Sequence, residues 1–278
     1  NGTERTQFRY RPDGALLEAT NDAATVRFVR DPLGRVLQET QNSHVVTSTY
    51  DATGQRLALA SSLGAVLQLE RDHAGRVQRL RAGAWQSVVE RDADGLELYR
   101  QLTGGVHTSW QRDALGRPTG QRVSVGGAAA RQRRYRWQQA DQLTELDDSL
   151  HGPTHFSYDA WGNLAAARYA DGTAELRQPD AVGNLFRTAD RTDRRYGKGG
   201  QLREAHGTRY YYDEEGNLTR KALPNGQVWH YAWNGAGQLT KVTRPDGYAV
   251  TFTYDALGRR ISKRFRGKLT RWVWDADK

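Results

Sequence analysis

The sequence predicts an all-β fold of antiparallel strand-turn-strand repeats, and two observations carry that prediction. A seven-residue phrase, YDALGRR at residues 254–260, returns throughout the chain at intervals averaging about 20 residues. The residues leading into each copy alternate apolar and polar, the period of a half-buried strand.

The phrase comes first. Its closing glycine falls at Gly14, Gly34, Gly54, Gly75, Gly95, Gly116, Gly162, Gly183, Gly200, Gly216, Gly237 and Gly258, with Asp141 standing in once. That makes an array of thirteen units over residues 1–278, with a fourteenth beginning at Trp274-Asp275. Nine copies read Asp-x-x-Gly: Asp31 to Gly34, Asp51 to Gly54, Asp72 to Gly75, Asp92 to Gly95, Asp113 to Gly116, Asp159 to Gly162, Asp180 to Gly183, Asp213 to Gly216 and Asp255 to Gly258. Asp at the first position of a type I turn accepts bonds from the turn's own amides, and Gly at the fourth tolerates positive φ. Each phrase is therefore a predicted hairpin turn whose glycine relieves the splay of the strands through a bulge.

The strands follow. In YAVTFTYD, Tyr248, Val250, Phe252 and Tyr254 share one face; in VWHYAW, Trp229, Tyr231 and Trp233 do. A second turn closes each return strand, as at Pro224-Asn225-Gly226 and Pro245-Asp246-Gly247. Paired columns run down the array: Phe8 and Tyr10, Trp110 and Arg112, Tyr135 and Trp137, Phe156 and Tyr158, Tyr210 and Tyr212, Tyr231 and Trp233, Phe252 and Tyr254, with Phe28 before Arg30. These columns are expected to form an aromatic ladder. Arg30, Arg71, Arg91 and Arg112 replace the leading Tyr in the first half, and a guanidinium can lie on an aromatic face.

Thirteen units imply about 26 strands and a strip roughly 125 Å long at about 4.8 Å per strand. Open twisted sheets rarely exceed about ten strands. The strip is therefore expected to coil into a β-solenoid wall or a spiralling shell. Two short intervals between 183 and 216 predict shorter strands there, and GGAAARQRR lengthens one unit.

Composition agrees with a thin structure: 37% of residues are hydrophobic and the mean hydropathy is -0.82. No run reaches the roughly 18 apolar residues of a membrane helix. Cysteine is absent, which excludes disulfides and thiolate metal sites. Methionine is absent too, so the chain reads as a processed product or an excerpt of something longer. The formal charge of +9 comes from 41 Lys and Arg against 32 Asp and Glu, interspersed along the chain, which is the pattern of a soluble surface more than of a polyanion site.

The Tyr-Asp-x-x-Gly-x-Leu phrase, complete at Tyr158 to Leu164 and Tyr212 to Leu218, resembles the YD repeat of the Rhs family, which extends to Tc toxin C components and teneurins. The resemblance implies a β-cocoon enclosing the protein's own C-terminal toxin domain as cargo, with secretion-spike proteins as partners through N-terminal regions. It implies assembly in the bacterial cytoplasm before export. The family's protease motif and the toxin itself are not found in these residues. No catalytic residue, cofactor or metal ligand is assigned, and no enzyme activity is expected.

Several features imitate sites. Asp31-Pro32-Leu33-Gly34 mimics part of that protease motif but is in phase with its neighbours, with Arg35 where the motif has Leu. The seven histidines are expected in loops, His151 and His155 included, and Asp147-Asp148 and Glu214-Glu215 in solvated turns. The sequons at Asn1-Gly2-Thr3 and Asn217-Leu218-Thr219 are noted, the second explained by the repeat. Arg131 to Trp137 interleaves bases and aromatics as nucleic-acid platforms do, but Tyr135 and Trp137 fall in the ladder columns, so nucleic acid is not the expected partner. Adhesion to glycans or proteins through the ladder is the alternative function.

Overall fold

The computed structural model describes residues 5–275. It is all-β, with long antiparallel sheets and two single-turn 3-10 segments at Gln139–Asp141 and Lys198–Gly200. The chain forms two compact units, one drawn from residues 1–66 and 195–278 and the other from 67–194.

The first unit contains two runs of strands. The N-terminal run is β1 (Gln7–Tyr10), β2 (Leu16–Thr20), β3 (Thr25–Arg30), β4 (Val36–Gln41), β5 (His44–Tyr50) and β6 (Arg56–Ser61). Each pairs antiparallel with the next. The second run goes from Leu202–Ala205 to Lys268–Arg271 in the same manner. Most buried apolar residues of this unit lie in the first run, Ala19, Ala24, Val26, Phe28, Val36 and Val46, with Ala205 and Ile261 in the second. What covers part of them is the second run, since Leu257 packs against Val26, Phe28 and Val36. Taking a residue such as Phe28 fully out of water stabilises by about 1.5–3 kcal/mol.

The second unit is one run of antiparallel strands ending at Ala174–Leu176, plus a small hairpin of Gln178–Pro179 with Leu185–Phe186. Its buried apolar residues are Val89 and Ala167. The stretch that lengthens one repeat becomes the ten-residue strand Ala128–Trp137. The short intervals coincide with strands of two to four residues: Leu185–Phe186, Arg194–Tyr196 and Leu202–Ala205.

The strands keep the alternation. Along Ala249–Tyr254, Thr251 and Thr253 are exposed while Val250, Phe252 and Tyr254 are half-buried. Histidine does not keep to loops. His44, His107, His155 and His230 lie in strands, where a partly exposed position accepts an imidazole without desolvating both nitrogens.

Candidate functional site

The repeated turn is the unit of the site. In all nine Asp-x-x-Gly copies the Gly amide donates to the Asp carbonyl at 2.9–3.2 Å, and the Asp amide donates to the carbonyl four residues on at 2.9–3.0 Å. Gly34, Gly54, Gly75, Gly95, Gly116, Gly162, Gly183, Gly216 and Gly258 have φ between +78° and +88°. This is the hydrogen-bond pattern of a turn closed by a left-handed residue and followed by a bulge. Ala140 and Asp141 take φ of 61° and 55° where the glycine is missing. Asp, like Asn, tolerates that region.

Seven of the nine turn carboxylates are used through both oxygens. The Asp Oδ1 accepts the amide four residues on, at 2.7–3.0 Å in all nine turns. Where residue i+4 is Arg or Asn, Oδ2 takes that side chain: Arg35 at 2.5 Å, Arg76 at 2.9 Å, Arg117 at 2.7 Å, Asn163 at 3.1 Å, Asn184 at 2.8 Å, Asn217 at 3.2 Å and Arg259 at 2.8 Å. The Arg76 amide and guanidinium hold the Asp72 carboxyl below its ordinary range, and the Arg117 guanidinium does so for Asp113.

The residue opening the phrase has a role the sequence did not disclose. Tyr50, Tyr158, Tyr212 and Tyr254 donate their hydroxyls to the carbonyls of Val36, Leu143, Leu202 and Leu239 at 2.8–3.0 Å. Trp137 and Trp233 donate Nε1 to Pro118 and Leu218 at 2.7 and 2.8 Å. Arg30, Arg91 and Arg112 donate to Leu16, Val77 and Glu97 at 3.0–3.3 Å. Every acceptor is the seventh residue of the preceding phrase. At these nine positions the side chain is long and ends in a planar donor group, phenol, indole or guanidinium; Pro179, which opens the Asp180 phrase, has none.

The residue after the glycine braces neighbouring turns. Arg35 Nη1 reaches the Asp51 carbonyl at 3.3 Å, Arg117 Nη1 reaches Asp141 at 3.1 Å, and Gln142 Nε2 reaches the Gly162 carbonyl at 3.4 Å. A Cβ built on Gly54, Gly162, Gly216 or Gly258 would lie 3.2–3.5 Å from the side chain of Arg35, Gln142, Gln201 or Gln238. At Gly162 and Gly258, where the approach is 3.2 Å, a side chain would crowd its neighbour as well as strain the backbone; at Gly54 and Gly216 the contact is ordinary and the positive φ alone asks for glycine. The signal in the sequence is the Arg, Gln or Asn that follows most of the turn glycines, Gly14 and Gly95 excepted.

The ladder columns are interleaved more than stacked. Among the described residues, ring-to-ring contact within the columns occurs at Phe8 with Tyr10 (6.3 Å) and Trp110 with Tyr135 (6.4 Å). Elsewhere a cation lies over the ring: Arg30 on Phe28, Arg112 on Trp110, Arg203 on Tyr212, Lys221 on Tyr210 and Arg260 on Phe252, at 5.3–5.9 Å. Phe156 pairs in register with Ala167, and Tyr231 with Val242. Arg35, Arg117 and Arg259, each bound to its turn Asp, lie 5.0–5.9 Å from the rings of Tyr50, Trp137 and Trp274, which open the next phrase.

Asp148 is not a solvated turn residue. It is buried, and takes Arg131 Nε at 2.9 Å and Arg133 Nε at 2.9 Å. Hydrogen bonds from Arg131 first, opposed by burial and aided by the Leu150 amide and Arg133, hold its carboxyl well below the usual range. Pairing of two charges is what makes that burial tolerable. Arg136 pairs with Glu145 at 2.9 Å. Three of the four arginines of the cluster are thus paired with two carboxylates, and its aromatics are committed to Trp110 and the Pro118 carbonyl.

In the first unit the two runs meet through polar contacts beside the apolar floor. Arg259 Nη2 bonds Glu39 Oε1 at 2.6 Å while its Nε holds Asp255. Asn21 Nδ2 donates to the Tyr254 carbonyl at 3.0 Å and Gln41 Nε2 to the Trp272 carbonyl at 2.9 Å. Arg56 pairs with Asp275. Glu39 is 2% exposed, and burial raises its carboxyl above the ordinary value against the pull of Arg259.

Among the described residues, no group of three His, Cys, Asp or Glu could hold a metal ion, and no helix is long and apolar enough to cross a membrane. His155 faces Glu145 at 3.7 Å and His151 lies outside that pair. Asn217 is held in its turn by Asp213, while the Asn1 sequon lies outside the described residues.

Comparison with known proteins matches this geometry to one family. The Teneurin YD-shell model aligns with residues 103–273. A double-stranded DNA deaminase toxin A of Burkholderia cenocepacia is 32% identical over 95% of the chain and 20% of its own length. The toxin protein Tse5 of Pseudomonas aeruginosa is 26% identical over 98% and 24%. A solved Tc holotoxin pore of Photorhabdus luminescens superposes with a TM-score of 0.65 at 14% identity, over 97% of this chain and 18% of that one. The chain thus spans about a fifth to a quarter of the curated relatives it matches. With the shell model covering more than half of its residues, the chain belongs to the YD-shell family of Rhs-type repeats.

Proposed function

We propose that this chain is wall: a non-catalytic segment of a toxin shell that encloses the C-terminal effector of the same polypeptide until delivery. The observation that carries the reading is the turn lattice. Nine turns spend their aspartates on their own amides, seven of them on the i+4 side chain as well, leaving sheets braced from turn to turn. The relatives named as toxins are four to five times longer than the stretch they share with this chain, which leaves room for a cargo and a delivery region. Repeats coiled into a spiral would keep that cargo apart from the cytoplasm in which the shell is assembled, before export.

The test is made on the longest polypeptide that carries this chain, purified from its host and compared by denaturing mass analysis and native sizing. Encapsulation predicts a released C-terminal piece that travels with the shell natively and separates in denaturant. A single uncut chain under both conditions would overturn the reading and favour adhesion by the array.

A further inference from the structure

A hollow of about 430 Å³ opens on the single run of strands, over Gly120. The strand Pro118–Val125 lies there between Val106–Arg112 and Ala128–Trp137, and the register sets Gln111, Gly120 and Arg134 in one row and Ser109, Arg122 and Gln132 in the next. Residues in register present their side chains to one face, and all six line the hollow. Gly120 is buried inside its strand, away from any turn. Unlike the turn glycines it has no positive φ, so the backbone does not ask for glycine here. A Cβ at this position would stand 2.8 Å from Gln111 Oε1 and displace that side chain. What Gly120 supplies is room at the bottom of the hollow.

The rim carries two uncommitted charges. Arg131, Arg133 and Arg136 each have a carboxylate. Arg122 and Arg134 do not: among the described residues, neither guanidinium makes a hydrogen bond, an ion pair or a ring contact. Asp147 stands in register with Arg134, and among the described residues the two form no ion pair. Arg122 and Arg134 are diagonal neighbours on adjacent strands, a spacing of about 7–8 Å, across which two long side chains can close on one group. That group carries several anionic oxygens, because each guanidinium offers its donors as a fork.

We infer that the hollow binds a phosphate monoester of a sugar, its phosphoryl oxygens between Arg122 and Arg134 and its sugar over Gly120. The hydroxyl of Ser109 and the amides of Gln111 and Gln132 both donate and accept, as the hydroxyls of a sugar require. The volume is that of a small-molecule site, about 300–1,000 Å³. A nucleic acid would also need rings for its bases, and Tyr135 and Trp137 alternate to the opposite face, where Trp110 and the Pro118 carbonyl hold them. The site is independent of the wall reading, since a wall and an adhesive array would carry it alike.

The test is equilibrium dialysis of labelled glucose 6-phosphate, at low salt, against the longest polypeptide that carries this chain. Saturable binding is expected, several-fold tighter than that of inorganic phosphate, while glucose alone does not compete. Arg122→Gln and Arg134→Gln are each expected to weaken it roughly tenfold, and with no partner to lose both variants should fold as wild type does. Gly120→Ala is expected to remove the preference for the sugar phosphate over inorganic phosphate. Arg136→Gln, whose arginine already pairs with Glu145, should leave binding unchanged, and Asp147→Asn should tighten it. No saturable binding, equal binding of inorganic phosphate, an equal loss with Arg136→Gln, or preference for an oligonucleotide would overturn the inference.

Discussion

The unit formed by residues 1–66 and 195–278 lays one run of strands against another, whereas the unit formed by residues 67–194 is a single run. In the first, Val26, Phe28 and Val36 make an apolar core covered by Leu257. In the second, burial is sparse, and what recurs is Arg on ring, Arg on carboxylate and donor on carbonyl. The difference teaches that a YD strip acquires a core only where a second strip lies on it. Elsewhere its integrity depends on bonds between consecutive repeats, each modest, summed along the array.

The largest effect should come from breaking the overlay. Arg259→Ala leaves the Glu39 carboxylate buried without its ion pair, which costs about 3–5 kcal/mol; Phe28→Ala costs about 3–5 kcal/mol through its cavity. Arg117→Ala and Leu115→Ala, the counterparts in the single run, should stay near or below about 1 kcal/mol. Because two units need not unfold together, the measure is hydrogen exchange of the β3–β5 amides against those of residues 106–125. Comparable losses in both units would remove the distinction.

Next come the glycines. Gly14 has open space around its missing Cβ, so Gly14→Ala meets only the strain of positive φ, about 1–2 kcal/mol. At Gly152 a Cβ would stand 2.7 Å from the Cβ of Ala170, and overpacking adds about 1–3 kcal/mol to that strain. The more crowded glycine is thus in the thinner unit. Thermal melts of the two variants test whether a single run is also tightly fitted.

A smaller loss is expected from Tyr158→Phe and Tyr254→Phe. Each removes one hydroxyl bond to the preceding repeat, worth about 1 kcal/mol, and the two values should agree because the bond is the same in both units. A loss confined to Tyr254→Phe would assign the role of the hydroxyl to the overlay.

The smallest effect is in pH. Burial raises the Glu39 carboxyl above 4.5 in the folded chain, so its favourable contribution is complete below that value and is lost as pH rises through the folded pKa. The stability of wild type relative to Glu39→Gln should fall as pH is raised from about 4. Asp148 has the opposite sign. Its carboxyl is lowered from 3.8, so the stability of wild type relative to Asp148→Asn should be present above that pH and fall on acidification. Urea titrations over a pH series read both slopes, and slopes of the same sign would contradict the assignment.

Turns and strands were legible in the sequence because their causes are local. Asp, Gly and the alternating apolar residues act within a few positions of one another. The seam was not legible, since Glu39 and Arg259 are 220 residues apart and Glu39 looks like any polar residue between Gln38 and Thr40. Asp148 was misjudged for the same reason, its partners Arg131 and Arg133 lying on the neighbouring strand. The leading Tyr, Trp and Arg show their flat faces in a sequence but not the use of their donor groups, because the acceptor is a backbone carbonyl, which carries no letter.

The direction of those donor bonds bears on synthesis. Every donor, from Arg30 to Trp233 and Tyr254, lies C-terminal to its acceptor. On a ribosome, a repeat leaving the exit tunnel finds the carbonyl it needs already made, so the strip can add to itself in the order of translation. The floor of Val26, Phe28 and Val36 has the opposite fate: Leu257, which covers part of it, is made more than 200 residues later. While the residues between 36 and 257 are translated, the floor has Leu16 beside it but lacks the cover that Leu257 later supplies.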